Sequence, residues 1–169
     1  DVATDIAVDS LDNAWIVGSF GGTARFDTSE IVSSGGNDIF LAKYDPTGEE
    51  LLARSDGGLG DDRASCIGLD GTGNISIAGY FSGTTRIGGD TMTSSGSTDL
   101  FVARYTSKAV SMWGRRGGGV GADAGSGIAV DKFGSAWVAG SFSDTARCGA
   151  TGLRSHGGRD LLLVRYDGA

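Results

Sequence analysis

Two kinds of side chain capable of chemistry recur along this chain at one fixed step. Carboxylates stand at Asp1, Asp62 and Asp123, at Asp9, Asp70 and Asp131, and at Asp38, Asp99 and Asp160, with the same spacing inside every trio. Arg25, Arg86 and Arg147 keep that spacing too. Repeated carboxylates could line a channel, bind calcium or, in pairs, serve as the acid and base of glycoside hydrolysis. Aspartate at strand ends has a plainer use, accepting backbone N–H bonds in turns, and that is the preferred reading. The EF-hand alternation DxDxDG is absent. An arginine held at one place in every copy suits a bidentate bridge to Asp38, Asp99 and Asp160, or to Asp62 and Asp123. The rival reading is a ligand-facing array of Arg25, Arg86 and Arg147, with Asp62 and Asp123 as further contacts.

The remaining reactive groups are isolated. His156 is the only histidine and lies in a glycine-rich loop, so no Ser-His-Asp or Cys-His set can be built around it. Cys66 and Cys148 fall outside the repeat and show no CxxC spacing. They read as small buried side chains, with a disulfide between neighbouring copies as the alternative that geometry must decide. Trp15 and Trp137 share one position, where the second copy has Ser76. They could stack on sugars, but their apolar strand favours packing between copies. The glycine runs lack the Lys-Ser/Thr pair of a phosphate loop. No catalytic residue, metal or cofactor is therefore expected.

Ile6, Ile67 and Ile128, Gly18, Gly79 and Gly140, and Tyr44, Tyr105 and Tyr166 follow the same step without a gap. A long fixed period of this kind decides the architecture before any local pattern does. Copies run over residues 1–61, 62–122 and 123–169. Each is read as four strands: a at Ala3 to Asp9, b at Ala14 to Phe20, c at Asp38 to Tyr44 and d at Glu50 to Arg54. Strand b is nearly continuously apolar, which suggests burial on both faces. The polar runs Ser10 to Asn13, Gly71 to Asn74 and Lys132 to Ser135 read as tight turns. The third copy has no counterpart of Glu50 to Arg54 and is expected to lack its outer strand. A four-stranded sheet with two apolar faces must be covered on both sides, and stacking around an axis does this. The expected fold is an all-β propeller in which each copy is one four-stranded blade.

The 169 residues carry 14 Lys+Arg and 21 Asp+Glu, a formal net charge of −7. That balance argues against nucleic acid and against an anionic membrane surface as partners. No apolar run approaches the roughly 20 residues of a membrane helix.

Ile6-Ala7-Val8-Asp9 with Asn13 to Gly18, Ser33 to Asp45, and Leu52-Ala53-Arg54 with Gly57-Gly58 together resemble the bacterial β-propeller repeat known as SBBP. The first segment is also similar to NHL-type propeller repeats. The resemblance spans the chain. It implies a bacterial secreted or cell-surface protein, often with more repeats, and no shared catalytic residues. The expected function is a non-catalytic binding or scaffolding module for a protein or glycan ligand. The alternative is a lectin-like module or a propeller glycoside hydrolase or lyase. Loops b–c (Gly21 to Asn37) and d–a (Gly57 to Asp62) are expected on one face, where any ligand would bind. Three blades fall below the usual propeller range of about 4–8, so a homo-oligomer or further blades should complete the ring.

Overall fold

The computed structural model describes residues 1–168 and is all-β, with no helix among them. Residues 1–61 form an antiparallel meander of β1 (Val2–Val8), β2 (Ala14–Arg25), β3 (Glu30–Tyr44) and β4 (Glu50–Gly58). Residues 62–122 give β5 (Asp62–Leu69), β6 (Ile75–Phe81), β7 (Thr84–Ile87), β8 (Asp90–Thr93), β9 (Asp99–Tyr105) and β10 (Ser111–Gly119). Residues 123–168 contribute β11 (Ala124–Val130), β12 (Ala136–Cys148) and β13 (Thr151–Tyr166).

The repeated sequence repeats the register. Ile6 pairs with Ile16, Ile67 with Ile77 and Ile128 with Val138. A register shift interrupts the first strand of every copy, between Ala3 and Asp5, Ala64 and Cys66, and Gly125 and Gly127. This irregularity explains the recurring glycine of the second strand. A Cβ on Gly18 would lie 2.0 Å from the Val2 carbonyl oxygen, and one on Gly79 would lie 1.9 Å from that of Arg63. Only glycine lets the two backbones approach so closely.

The segment expected as loop b–c is mostly strand, which corrects that reading. In the first copy β2 and β3 continue outward as a ladder, pairing Thr23 with Val32, Ala24 with Ile31 and Arg25 with Glu30. In the second copy the same extension is the separate hairpin β7–β8. The cause is a short alternation, Thr84-Thr85-Arg86-Ile87 against Asp90-Thr91-Met92-Thr93, that buries Thr85, Ile87 and Met92 and exposes the rest. Strand d is also longer than expected and runs to Gly58.

These outer hairpins tie the copies together. Gly57 and Gly58 of β4 pair with Arg86 and Thr85 of β7, and Gly117 to Gly119 of β10 pair with Cys148 to Ala146 of β12. The result is a six-stranded sheet, β1-β2-β3-β4-β7-β8, and a seven-stranded sheet containing all the other strands.

Apolar packing follows the copy boundaries. Between the first and second copies, Trp15, Val17, Ile39 and Leu41 meet Ile67, Ile75, Ile77 and Phe101. Between the second and third, Cys66, Ala78, Leu100 and Val102 meet Val138, Phe142, Cys148 and Leu162. Both cysteines are buried and unbonded to each other, as small core side chains. On the far side of the third copy the equivalent positions are open. Trp137 is 45% exposed, Leu161 79% and Leu163 60%, against 1% for Trp15 and Ile39 and 2% for Leu41. On the opposite flank, Val2, Ile6 and Val8 of β1 are exposed as well.

Candidate ligand face and the carboxylates beneath it

The roots of the outer hairpins and the turns between copies meet at one end of the sheets. Gly36 N–H donates to the Leu59 carbonyl at 3.3 Å, and Asn37 donates to Asp61 Oδ1 from its backbone at 3.0 Å and its side chain at 2.7 Å. Ser82 N–H, from the following copy, donates to the Asp61 carbonyl at 3.0 Å. At the next boundary Ser97 N–H donates to the Gly121 carbonyl and Ala122 N–H to Ser143 Oγ. A depression of about 320 Å³ opens here, lined by Tyr80, Ser97, Thr98, Ala122, Ala124 and Arg159.

The repeated arginines stand on the outer hairpins and point into solvent. Arg25 is 79% exposed and pairs with Glu30 at 2.8 Å. Arg86 is exposed, and Arg147 is exposed with its Nε donating to the Gly149 carbonyl at 3.1 Å. None makes the bridge to Asp38, Asp99, Asp62 or Asp123 that spacing suggested. The alternation that buries Thr85 and Ile87 turns the residue between them outward.

Asp62 and Asp123 are fully buried and lie below that surface. Asp62 begins β5 and Asp123 immediately precedes β11, and each sits with the aspartate that begins the inner part of strand c in the preceding copy. The groupings are Asp38 with Asp62 and Asp99 with Asp123. Glycines make room for them: a Cβ on Gly57 would lie 2.3 Å from Asp38 Cγ, and one on Gly118 would meet both Asp99 and Asp123. At the first boundary Ser34 N–H donates to Asp38 Oδ2 at 2.9 Å and Gly58 N–H to Asp62 Oδ2 at 2.7 Å. Burial pushes the Asp62 carboxyl up to about 6, helped by the charge of Asp38 and opposed by Thr85 and Gly58. Asp38 is also raised, chiefly by burial. At the second boundary Ser95, Gly119 and Ser143 donate backbone N–H groups, and Arg116 Nη1 reaches Asp99 Oδ2 at 3.0 Å. Burial raises Asp99 and Asp123 there too, and Arg116 pulls Asp99 back.

The opposite end of the sheets carries the turn chemistry expected of Asp9, Asp70 and Asp131. Asp9 Oδ1 accepts from Leu11 and Asn13, Asp70 Oδ1 from Thr72 and Asn74, and Asp131 Oδ1 from Phe133 and Ser135. Sequence reasoning missed their cationic partners. Lys43 Nζ lies 3.0 Å from Asp9 and 4.7 Å from the centre of the Trp15 ring. Arg104 Nη2 lies 2.5 Å from Asp70 while Nη1 donates to the Gly134 carbonyl of the third copy, also at 2.5 Å. The signal was available, because Lys43, Arg104 and Arg165 recur at the same step as the aspartates.

A second missed cluster crosses the first boundary. Tyr105 Oη donates to Asp56 Oδ2 at 2.5 Å, Gly88 N–H donates to the same oxygen at 3.1 Å, and Arg54 Nη2 binds Asp56 Oδ1 at 2.6 Å. Arg54 also donates to the Ala109 carbonyl. His156 is exposed, and its backbone N–H donates to Asp160 Oδ2 at 2.7 Å, repeating the Ser34–Asp38 and Ser95–Asp99 bonds. Among the described residues no group of three or more His, Cys, Asp or Glu side chains is gathered as for a metal ion. No helix among them is long and apolar enough to cross a membrane.

No known family profile matches the chain. It is similar to the regulatory protein FlaEY of Caulobacter vibrioides, with 34% identity over 137 residues. That alignment covers 78% of this chain and 14% of FlaEY, so the chain spans about a seventh of that relative's length.

Proposed function

We propose that the chain is a three-blade portion of a β-propeller that acts as a non-catalytic binding or scaffolding module, secreted or displayed on a bacterial cell surface. The observation that carries this reading is the pairing of a rigid face with inert chemistry. Arg25, Arg86 and Arg147 are presented one per copy on hydrogen-bonded hairpins, whereas Asp38, Asp62, Asp99 and Asp123 are buried where no substrate reaches. Side chains held on a preorganised backbone lose little entropy on binding. FlaEY is named as a regulatory protein, and a partner-binding role agrees with that name.

The bare flank with Trp137, Leu161 and Leu163 is proposed to meet a further blade, from a second copy or from more repeats, as Trp15, Ile39 and Leu41 meet the second copy. Such apolar edges are ones that natural sheets cover.

The test is a binding comparison on glycan and extracellular-protein arrays, run beside a hydrolase screen. A triple Arg25→Ala, Arg86→Ala, Arg147→Ala variant should keep the wild-type melting temperature and lose retained ligands. Turnover abolished by a single Asp substitution would replace this reading with the hydrolase one.

A further inference from the structure

The two buried carboxylate pairs have the same backbone setting and unequal compensation. Asp99 and Asp123 receive four donors, from Ser95, Arg116, Gly119 and Ser143, one of them a full positive charge. Asp38 and Asp62 receive two, from Ser34 and Gly58. The place of Arg116 is taken by Ser55, one repeat earlier. Ser143 N–H binds a carboxylate, but its counterpart Ser82 N–H goes to the Asp61 backbone carbonyl. Asp38 Oδ1 and Asp62 Oδ1 are both left without a hydrogen-bond partner, inside residues at most 1% exposed, whereas at the second boundary Asp99 Oδ1 alone is so left, beside the Arg116 charge on Asp99 Oδ2.

A further group points to what belongs there. Thr85 is 2% exposed and its hydroxyl has no hydrogen-bond partner; its backbone pairs with Gly58, the residue whose N–H donates to Asp62 Oδ2. The equivalent residue at the second boundary is Ala146, which has no polar atom to offer. Thus the boundary that lost its arginine has gained a neutral oxygen. Two carboxylate oxygens and a hydroxyl are hard donors, the kind that calcium and magnesium take, and two anions leave a charge of −2 to be met.

We infer that the first boundary binds one hard divalent cation, of the Ca²⁺ or Mg²⁺ class, through Asp38, Asp62 and Thr85, doing there the neutralising work that Arg116 does at the second boundary. Backbone carbonyls and water would complete the shell, since three side-chain oxygens are fewer than either ion requires. Such an ion would lock the first copy to the second, because Asp38 and Asp62 belong to different copies. This site is independent of the proposed ligand face.

The experiment is calorimetric titration of the EDTA-stripped, folded chain with CaCl₂ or MgCl₂, with melting curves in parallel. The expected result is one equivalent per chain and a melting temperature that climbs with the logarithm of free ion above the dissociation constant. Ser55→Arg, which copies the second boundary, should abolish the heat and raise the melting temperature in EDTA. Thr85→Ala, which copies Ala146, should weaken binding at least tenfold. Because these variants keep both carboxylates, they stay informative even if Asp62→Asn fails to fold. No heat with either ion at millimolar concentration would overturn the inference. So would unchanged binding in Ser55→Arg, or a pH-dependent melting temperature that the ions do not alter, which would mean that a proton holds the pair.

Discussion

At the first boundary Tyr105 reaches across to Asp56, and Arg54 completes the cluster by stacking 4.9 Å from the tyrosine ring. One repeat later Tyr166 occupies the same place, but Asp56 has become Gly117 and the tyrosine lies among Trp113, Cys148 and Gly117. The second boundary moves its charge to both ends, to Arg116 above and Arg104 below. The backbone period tolerates this exchange because the apolar positions of strands b and c already seat one copy on the next. Polar side chains then need only satisfy one another locally. What differs is the penalty for removing one partner, since a buried ion left alone costs more than the pair gains.

The largest test of that contrast is Arg104→Ala. Arg104 and Asp70 have side chains only 4% and 5% exposed, and the guanidinium also holds the Gly134 carbonyl. Breaking a buried pair on one side costs about 3–5 kcal/mol. The denaturant midpoint should fall accordingly. Lys43→Ala, which breaks a pair 16% and 9% exposed and confined to one copy, should cost clearly less. Equal losses would erase the distinction between a cation that also holds the next copy, as Arg104 holds the Gly134 carbonyl, and one whose contacts stay within its own copy.

Next comes pH. The Asp62 carboxyl is raised from 3.8 to about 6 in the fold, so the fold holds its proton more tightly than the unfolded chain does. Its contribution is fully present below pH 4 and is lost as pH rises through about 6. Two pK units correspond to roughly 3 kcal/mol. Asp70 runs the other way. Burial raises it, hydrogen bonds from Thr72 and Asn74 outweigh burial, and the result is about 2, so its contribution is lost as pH falls below about 4. The windows do not overlap. In EDTA, melting temperature should therefore decline between pH 4.5 and 7, and Asp62→Asn should flatten most of that decline. An unchanged slope in the variant would assign the titration to Asp38 or to the carboxylates of the second boundary instead.

Removing a single hydroxyl sharpens the comparison further. Tyr105→Phe takes a donor from Asp56, whose side chain is 12% exposed, and should cost about 1–3 kcal/mol. Tyr166→Phe should cost close to nothing, because Tyr166 Oη is buried without a hydrogen-bond partner. Paired urea titrations check this, and a larger loss for Tyr166→Phe would reverse the order.

The internal period made the all-β class and most of strands a, b and c readable, because register repeats when apolar alternation repeats. The outer hairpins were not readable as strands. Thr84 to Ile87 and Asp90 to Thr93 are four residues each, flanked by glycines that resemble loop, and their alternation becomes decisive only when Gly57 and Gly58 supply a neighbouring strand. Asp62 and Asp123 were legible as repeated carboxylates but not as buried ones. Their burial depends on glycines 57, 58, 118 and 119, which recur at the same step but whose missing side chains do not say what fills the space they leave. Asp56 was invisible for the opposite reason: it occurs in one copy alone, and repeat reasoning attends to what recurs.

The smallest expected effect concerns the arginines that recur most plainly. A bridge to a buried aspartate would make Arg86→Ala strongly destabilising. The structure instead places Arg86 on the outer hairpin at the first boundary and Arg147 at the second, both exposed and neither bonded to a carboxylate within hydrogen-bond distance. Each backbone pairs with a glycine of the preceding strand d, Arg86 with Gly57 and Arg147 with Gly118, and alanine preserves that pairing. Exposed substitutions of this kind shift stability by less than about 0.5 kcal/mol. Both variants should therefore melt within error of wild type, whichever boundary they flank. Unequal losses would show that the guanidinium of one hairpin reaches the carboxylates beneath it. In that case the contrast between the boundaries would extend to the surface, and the recurring arginines would be part of the copy-to-copy lock rather than of the ligand face.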